Sequence, residues 1–401
     1  MTTPAELYRN AVDLNRFSNG VARRIALTYN DLILEAVDRL RGIDDLSAPA
    51  KAARLRAILA QLKGSLENWA GTSTLAVTDE LQGLAVLQSE FVARELRRAL
   101  PENLQRQIRD VQISPDFARS VATVDPTAIN VVSLSDDLQT AVAGAPRATF
   151  QLTAAQGTSI TLPNGKVISK SFRGLAESSA ELFSKTVRNG LLTGESADKI
   201  ARRLKGRLRF GESKSVRQLA QKGGEATAVA NNQVLALVRT SVNQVANAAS
   251  QRTYEANQDV TQRYRYVATL DGKTSAICRA LDGRVFEYGK GPTPPQHFNC
   301  RSTTVPIINY EALGIEPPPE GRRKATEGTV PGNLTYGQWL SRQSKADQTK
   351  ILGNSPRRAA YFRKLSNKIG PTEAMRRFVR EDGSEVTLDY LRANYGNVRT
   401  Q

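Results

Sequence analysis

The stretch Asp271–Arg301 constrains the fold of this chain most, because it contains both cysteines and the only histidine of the 401-residue sequence. Cys278, His297 and Cys300 are side chains of the types that bind soft metals best. An Asp282-Gly283 turn dipeptide and a run rich in glycine and proline separate them. We therefore expect the loop to fold back, so that His297 and Cys300 approach Cys278.

Three kinds of site are compatible with this convergence. Zinc takes about four ligands in a tetrahedral array; Cys278, His297 and Cys300 supply three of them, and Asp271 is the nearest candidate for the fourth. A Cys278–Cys300 disulfide is the second interpretation, and an unlinked pair of buried thiols is the third. Because the stretch has one His-x-x-Cys pair and no Cys-x-x-Cys knuckle, the zinc and metal-free interpretations remain equally open.

The same stretch resembles the Mu F-like domain of phage head morphogenesis proteins, also called minor head proteins. Its order is a strand, Asp-x-x-Thr with a cysteine four residues later, Leu-Asp-Gly, and then Pro-Pro-x-His-x-x-Cys-Arg. Family members usually continue Cys-Arg-Cys, whereas this chain has Ser302 at the last position. That departure removes a ligand, so we favour a metal-free or weakly metallated site over a strong zinc site. The resemblance covers roughly residues 170–310, and its matching positions are Asp271, Thr274, Cys278, Leu281, Asp282, Gly283, Pro294, Pro295, His297, Cys300 and Arg301.

The hydrophobic spacing predicts a mainly helical α+β protein. Ile25, Tyr29, Ile33, Val37 and Leu40 recur at helical spacing, which is typical of bundle core. A second stripe contains Leu81, Leu84, Leu87 and Phe91, and Gly42 and Gly71 are expected to separate the helices. The predicted parts are a helical domain over 1–113, a linker or irregular arm over 114–158, a Mu F-like α+β domain over 159–315, and a basic helical extension over 316–401.

Within the Mu F-like part, a long helix over 226–254 is expected to pack on a small antiparallel sheet. Its strands are predicted at 263–270, 284–287 and 303–308. A further hairpin is predicted from Ser159–Leu162 to Val167–Ser169, because Asn164-Gly165 is a strong two-residue turn signal. Beyond a proline-rich spacer, residues 322–324 are expected to form a mobile basic segment.

The net charge of +17 predicts a surface that attracts polyanions, of which nucleic acid is the commonest. Since no helix-turn-helix or zinc finger is visible, the expected contact is with phosphates and not with base sequence. A solvated basic face, or an acidic protein partner, is the alternative. The candidate phosphate-contacting residues are Arg202, Arg203, Lys205, Arg207, Arg209, Arg322, Arg323 and Lys324.

Membrane insertion and secretion are not expected. No run of about 18 apolar residues occurs, as a membrane-spanning helix would need. The first residues, MTTPAELYRN, lack the basic region and apolar run of a signal peptide, so we expect folding in the cytoplasm. Two cysteines in 401 residues indicate a fold that does not depend on disulfides.

Catalysis is not expected from this sequence. An acyl- or proton-transfer mechanism would have to use His297, paired with Cys300 as nucleophile. Walker and dinucleotide glycine patterns are missing. ADP-ribosyl transfer usually uses a Glu-x-Glu or Gln-x-Glu pair; no Glu-x-Glu occurs, and Gln88 and Glu90 match Gln-x-Glu but lie in a helical stripe far from the loop. The alternative that stays open is a phage-associated enzyme or toxin-like effector that uses the Cys278/His297/Cys300 loop.

The resemblance implies a structural minor head protein of a tailed phage. Such a protein would act with the portal protein and with the major capsid protein or scaffold, and would contact packaged DNA. Its expected place is the head interior or portal vertex of the virion, after assembly in the host cytoplasm. The expected cofactor is either none or a structural zinc ion.

Overall fold

Two long helices form the first part of the chain in the computed structural model. They are α1 (Thr3–Asp38) and α2 (Ala48–Arg98). Gly42 takes a positive φ of 70° after α1, as a glycine that ends a helix often does. The prediction that Gly71 separates two helices was wrong, because Gly71 lies inside α2. The structure describes residues 3–118, 151–152, 168–212, 214–319, 321–380 and 383–398.

The centre of the protein is the 32-residue helix Glu225–Ala256, α7, which confirms the long helix predicted over 226–254. Around it pack α1, α2 and the 25-residue helix Ile168–Leu192, α4. Trp69 of α2 joins them, with its ring 5.2 Å from that of Tyr29 and 5.6 Å from that of Phe172. After α2, the helices are α3 (Glu102–Gln105), α4 (Ile168–Leu192), α5 (Ala197–Lys205), α6 (Val216–Lys222) and α7 (Glu225–Ala256).

The predicted apolar stripe of α1 is buried, but that of α2 is only partly right. Leu87 is 64% exposed, whereas Gln88 and Ser89 are buried. Where α2 meets α7, Gln88 donates to the Ser250 hydroxyl at 2.9 Å, and the Ser89 and Thr253 hydroxyls lie 3.1 Å apart. Small and hydrogen-bonded polar side chains line this contact between the helices, and a rule based on apolar spacing does not detect them.

A three-stranded antiparallel sheet follows α7, as predicted. Its central strand is Thr261–Val267 (β3), which pairs with Val285–Glu287 (β4) on one side and Thr303–Ile308 (β5) on the other. Tyr264 of the central strand lies opposite Phe286 on one side and Pro306 on the other. Tyr254 of α7 donates to the carbonyl of Thr304 at 3.2 Å and so ties the helix to the sheet. The strands are β3 (Thr261–Val267), β4 (Val285–Glu287) and β5 (Thr303–Ile308), and the short helix α8 (Ala276–Leu281) lies between the first two.

The segment after the proline-rich spacer is ordered against the rest of the molecule, so the predicted mobile basic segment was wrong. It forms the antiparallel hairpin of β6 (Arg322–Ala325) and β7 (Gly328–Pro331), and β6 contacts α1. The last helices then pack around a small hydrophobic core that contains Trp339 and Phe362. Thr335 and Gln338 form the predicted capping box. These helices are α9 (Tyr336–Ser341), α10 (Lys345–Ile351), α11 (Pro356–Ile369), α12 (Pro371–Arg376) and α13 (Leu388–Tyr395).

The predicted irregular arm and hairpin fall mostly outside the described residues. Gln112–Ile113 and Gln151–Leu152 are two short strands, β1 and β2, that pair in parallel. Residues 159–167 of the predicted hairpin lie outside the described ranges, but Ser169 belongs to α4, so the end of its second strand was wrong. The division of the chain into four parts stays a prediction. Across the ranges that the structure describes, no helix is both long and apolar enough to span a membrane.

Candidate metal centre

The first cysteine of the site is placed by the short helix α8. Ser275 caps this helix, and its side chain accepts a hydrogen bond from the backbone N–H of Cys278. The Cys278 sulfur then points toward β3, where the Tyr266 hydroxyl lies 3.2 Å from it. Both side chains are almost fully buried, so α8 and the sheet fix the position of this thiol.

The second half of the site comes from the loop before β5, which returns as predicted. The Cys278 sulfur lies 3.4 Å from His297 Nε2 and 3.7 Å from the Cys300 sulfur. The three potential ligand atoms, one from each side chain, all lie within 4.8 Å of one another. A disulfide needs a sulfur–sulfur distance of about 2.05 Å, and both cysteines are free thiols here. The predicted convergence is confirmed.

The imidazole of His297 has a fixed orientation. Its Nδ1 lies 2.8 Å from the carbonyl oxygen of Phe298, to which it donates. Nε2 faces the Cys278 sulfur, 3.4 Å away. A backbone carbonyl that accepts from the far ring nitrogen is the usual support of a metal-binding histidine.

The two thiols have opposite acidities because they share one buried site. Burial opposes ionisation of Cys300, but hydrogen bonds with Cys278 and His297 outweigh it and hold the Cys300 pKa well below its ordinary value. The contact with Cys300 and burial together raise the pKa of Cys278 well above its ordinary value. Burial disfavours the charged imidazole, yet the contact with Cys300 raises the pKa of His297. The site therefore favours one thiolate next to a histidine.

Asp271, the predicted fourth ligand, lies outside this cluster. Its carboxylate accepts two hydrogen bonds from the Arg301 guanidinium, at 2.5 and 2.8 Å, and one from the backbone N–H of Lys273. A carboxylate held in this way faces its arginine and not the sulfurs. The oxygen that does lie at the cluster belongs to Ser302, which is 2% exposed and close enough to Cys278 and Tyr266 to influence both side chains.

A row of polar side chains on α7 holds the backbone of the returning loop, and the sequence interpretation missed it. The Asn299 N–H donates to Thr240 Oγ1 at 3.0 Å, and Asn243 donates to the Ser302 carbonyl at 2.8 Å. These side chains lie beside the apolar stripe of the helix and were not given a role. Their spacing of three or four residues along α7 was the available signal. The row, called the polar ladder below, consists of Thr240, Asn243, Asn247 and Gln251.

A buried ion pair joins the loop to the C-terminal segment, and the sequence interpretation missed this too. Asp282 accepts from the Ala268 N–H at 2.7 Å, from the Tyr336 N–H at 2.6 Å and from the Arg323 guanidinium at 3.0 and 3.2 Å. Arg323 also donates to the carbonyls of Ala268 and Leu334. Asp282 is therefore more than the predicted turn residue, because its carboxylate accepts hydrogen bonds from three segments, at Ala268, Arg323 and Tyr336.

The predicted phosphate-contacting residues fall into different environments. Arg323 is 4% exposed and paired with Asp282, so its prediction as a nucleic-acid contact was wrong. Arg203 forms ion pairs with Glu195 at 2.7 Å and Glu225 at 3.0 Å. Lys205 is half-buried, whereas the exposed members of the set are Arg202, Arg207, Arg209, Arg322 and Lys324.

A cleft of about 1110 Å³ between α7, the loop after β3 and the C-terminal segment collects further cations. Arg239 of α7 lies on its wall and donates twice to the Asn19 side-chain oxygen, at 3.0 and 2.7 Å. Burial lowers the pKa of Arg239, and the nearby charges of Arg217 and Arg301 lower it further. Within the described ranges no carboxylate pairs with Arg239. The wall of this cleft, called the basic cleft below, carries more cations than carboxylates. The carboxylates are Asp271, Glu327 and Asp347, and the cations are Arg217, Arg239, Lys273, Arg301, Lys324 and Lys350.

Comparison with known families assigns the segment that carries the cluster. Residues 181–305 match the family described as Phage Mu protein F like protein. The matched segment contains α7, β3, β4 and the first half of β5, together with Cys278, His297 and Cys300. No curated protein matches the chain significantly. The solved structures likewise contain no significant match.

Proposed function

We propose that this chain, a phage Mu F-like protein by its residues 181–305, is a structural minor head protein that acts with the portal protein and with the major capsid protein or scaffold. The family match, which points to phage head morphogenesis, carries the proposal. The arrangement of polar groups supports it, because the polar ladder and Asp282 form hydrogen bonds that join α7, the loop before β5 and the C-terminal segment. Such groups stabilise a scaffold.

The burial of the two sulfurs supports a structural role over the enzymatic alternative. A catalytic cysteine must be reachable by its substrate as well as ionised. Cys278 and Cys300 are 1% and 2% exposed, and the loop backbone covers them. A toxin-like or enzymatic use of this loop would require the loop to leave α7 and break the hydrogen bonds of the polar ladder.

The assembly role predicts a specific defect in the phage that encodes this chain. A clean in-frame deletion should give few infectious particles, while the major capsid protein still accumulates in folded form. Supplying the wild-type chain from a plasmid should restore the yield, and mass spectrometry should find the chain in purified heads. A normal infectious yield from the deletion would refute the role.

Contact with packaged DNA is a finer part of the proposal, and the basic cleft supports it. Arg239, with which no carboxylate of the described ranges pairs, lies near Arg217, and Lys273, Lys324 and Lys350 are exposed around the same opening. Close like charges repel one another, so an anion placed among them lowers the free energy of the site. DNA phosphates are the polyanion present in a phage head, and contact with them would be independent of sequence.

A pair of double variants tests this contact. Arg217→Gln with Arg239→Gln should weaken binding of a short duplex and reduce the slope of log K against log salt by about 1 for each arginine. Fluorescence anisotropy over a range of salt measures both quantities. The matched control is Arg54→Gln with Arg56→Gln, which removes the same charge from the exposed face of α2. Equal losses in both pairs would show that net charge, and not the cleft, binds DNA.

A further inference from the structure

We infer that Cys278, His297 and Cys300 bind one zinc ion in a tetrahedral site whose fourth ligand is an oxygen, either the Ser302 hydroxyl or a water that it holds. This goes beyond the proposed assembly function, since the cluster would bind the ion whatever the protein does in the head. Each thiol that binds gives up its proton to solvent and becomes a thiolate ligand. The metal does not change oxidation state, and no other reactant is needed.

Two of the three distances in the cluster match those of a tetrahedral zinc site, and the third, between the Cys300 sulfur and the His297 ring nitrogen, is at most 4.8 Å. With zinc–sulfur bonds of about 2.3 Å and a tetrahedral angle, two thiolates lie about 3.8 Å apart, and a sulfur and an imidazole nitrogen about 3.6 Å apart. The corresponding distances here are 3.7 Å between the sulfurs and 3.4 Å from the Cys278 sulfur to His297 Nε2. The ion could therefore enter with only small side-chain movements.

The orientation of His297 is a second, independent observation. Nδ1 donates to the Phe298 carbonyl, so a neutral imidazole presents the lone pair of Nε2 to the Cys278 sulfur, 3.4 Å away. The loop backbone is itself held by Thr240 and Asn243, which limits the freedom of the ring to turn away. This is the support that a zinc ligand requires.

We assign the fourth ligand to Ser302 or to a water, because the carboxylate of Asp271 is already paired with Arg301. Ser302 is buried, is close enough to Cys278 to influence its thiol and follows Cys300 by two residues, which places its hydroxyl at the edge of the cluster. Catalytic zinc sites keep a position open to substrate, whereas this position is enclosed by Tyr266 and the loop. The ion would thus join α8 to the loop before β5 as a structural cross-link.

Metal content and cobalt spectroscopy on the full chain test the site. Purified with a non-chelating reductant, the protein should retain one equivalent of zinc after dialysis, measured by elemental mass spectrometry. Cobalt in place of zinc should give the intense visible bands of tetrahedral coordination and a thiolate charge-transfer band. Cys300→Ser should lose both signals. Absence of stoichiometric metal, or cobalt bands that survive in Cys300→Ser, would overturn the proposal.

Adding a sulfur at the fourth position gives a variant that does not depend on loss of folding. Ser302→Cys should complete a Cys₃His set and raise zinc affinity at least about tenfold in competition with a chelator, since even groups outside the ligand set change affinity by 10–100-fold. The control is Ser178→Cys, which adds a thiol to the exposed face of α4 far from the loop in sequence. Equal affinities in Ser302→Cys and the wild type, or a gain matched by Ser178→Cys, would show that Ser302 does not face the ion and would refute the proposed geometry.

Discussion

Asp282→Ala is expected to lower the free energy of unfolding by about 3–5 kcal/mol, the usual cost of removing one partner from a buried ion pair. The variant would leave the Arg323 guanidinium, itself 5% exposed, without its carboxylate. It would also leave the N–H groups of Ala268 and Tyr336 without their acceptor. Since β3, β6 and α9 all depend on this carboxylate, the C-terminal segment should separate first. Urea unfolding in a Trp69→Phe background, in which Trp339 is the remaining tryptophan, measures this by fluorescence.

The matched control is an ion pair of the same chemistry at the surface. Asp389 pairs with Arg392 at 3.1 Å, with side chains that are 87% and 64% exposed. Asp389→Ala should therefore cost less than about 1 kcal/mol. In the double variant Asp282→Ala with Arg323→Met, the loss should be smaller than the sum of the two single losses, because no unpaired charge remains buried. Similar costs for Asp282→Ala and Asp389→Ala would contradict the role given to Asp282.

Gly337→Ala is expected to destabilise the C-terminal segment by about 1–3 kcal/mol, although alanine normally favours a helix. Gly337 lies in α9 where the helix crosses the start of α12. A Cβ at this position would overlap the carbonyl oxygen of Pro371 and lie 2.6 Å from its carbonyl carbon and 2.9 Å from Thr372 Cα. These are backbone atoms, which cannot rotate away, so the two helices would have to separate. Thermal unfolding measures the loss.

The same substitution at Gly71 should have the opposite sign. Gly71 lies in the interior of α2, and a Cβ there would meet nothing within 4 Å. Gly71→Ala should raise the free energy of unfolding by about 0.5–1 kcal/mol, because glycine loses more conformational freedom than alanine in a helix. Destabilisation by both substitutions would mean that the close approach of α9 and α12 does not set the cost at Gly337.

The helices and the sheet could be predicted from sequence where one periodicity dominates. The stripe from Ile25 to Leu40, the long α7 and the strands on either side of the cysteines follow from spacing alone. The buried face of α2 did not, because its residues Gln88 and Ser89 are polar and form hydrogen bonds with Ser250 and Thr253 of α7. Contacts between elements decide such positions, and no local pattern records them.

The candidate site was predictable to the extent that its residues are rare types close together in sequence. Cys278, His297 and Cys300 could be grouped for that reason. Asp271 could not be excluded, because its partner Arg301 becomes visible only when the loop has folded. Arg323 was assigned to the surface because it lies between two other basic residues, yet it is the one that Asp282 draws into the interior. A buried carboxylate far away in sequence reversed the expectation.

The central place of α7 has a consequence for the order in which the protein can form. α1 and α2 both pack against α7, and α2 packs against α4 as well. At about 5–20 residues per second, the ribosome needs roughly 6–25 s to synthesise the chain between the end of α2 and the start of α7. During that interval the apolar faces of α1 and α2 that α7 later covers stay exposed to solvent. Chaperone occupancy on this chain should therefore rise after α2 emerges and fall once α7 has left the exit tunnel.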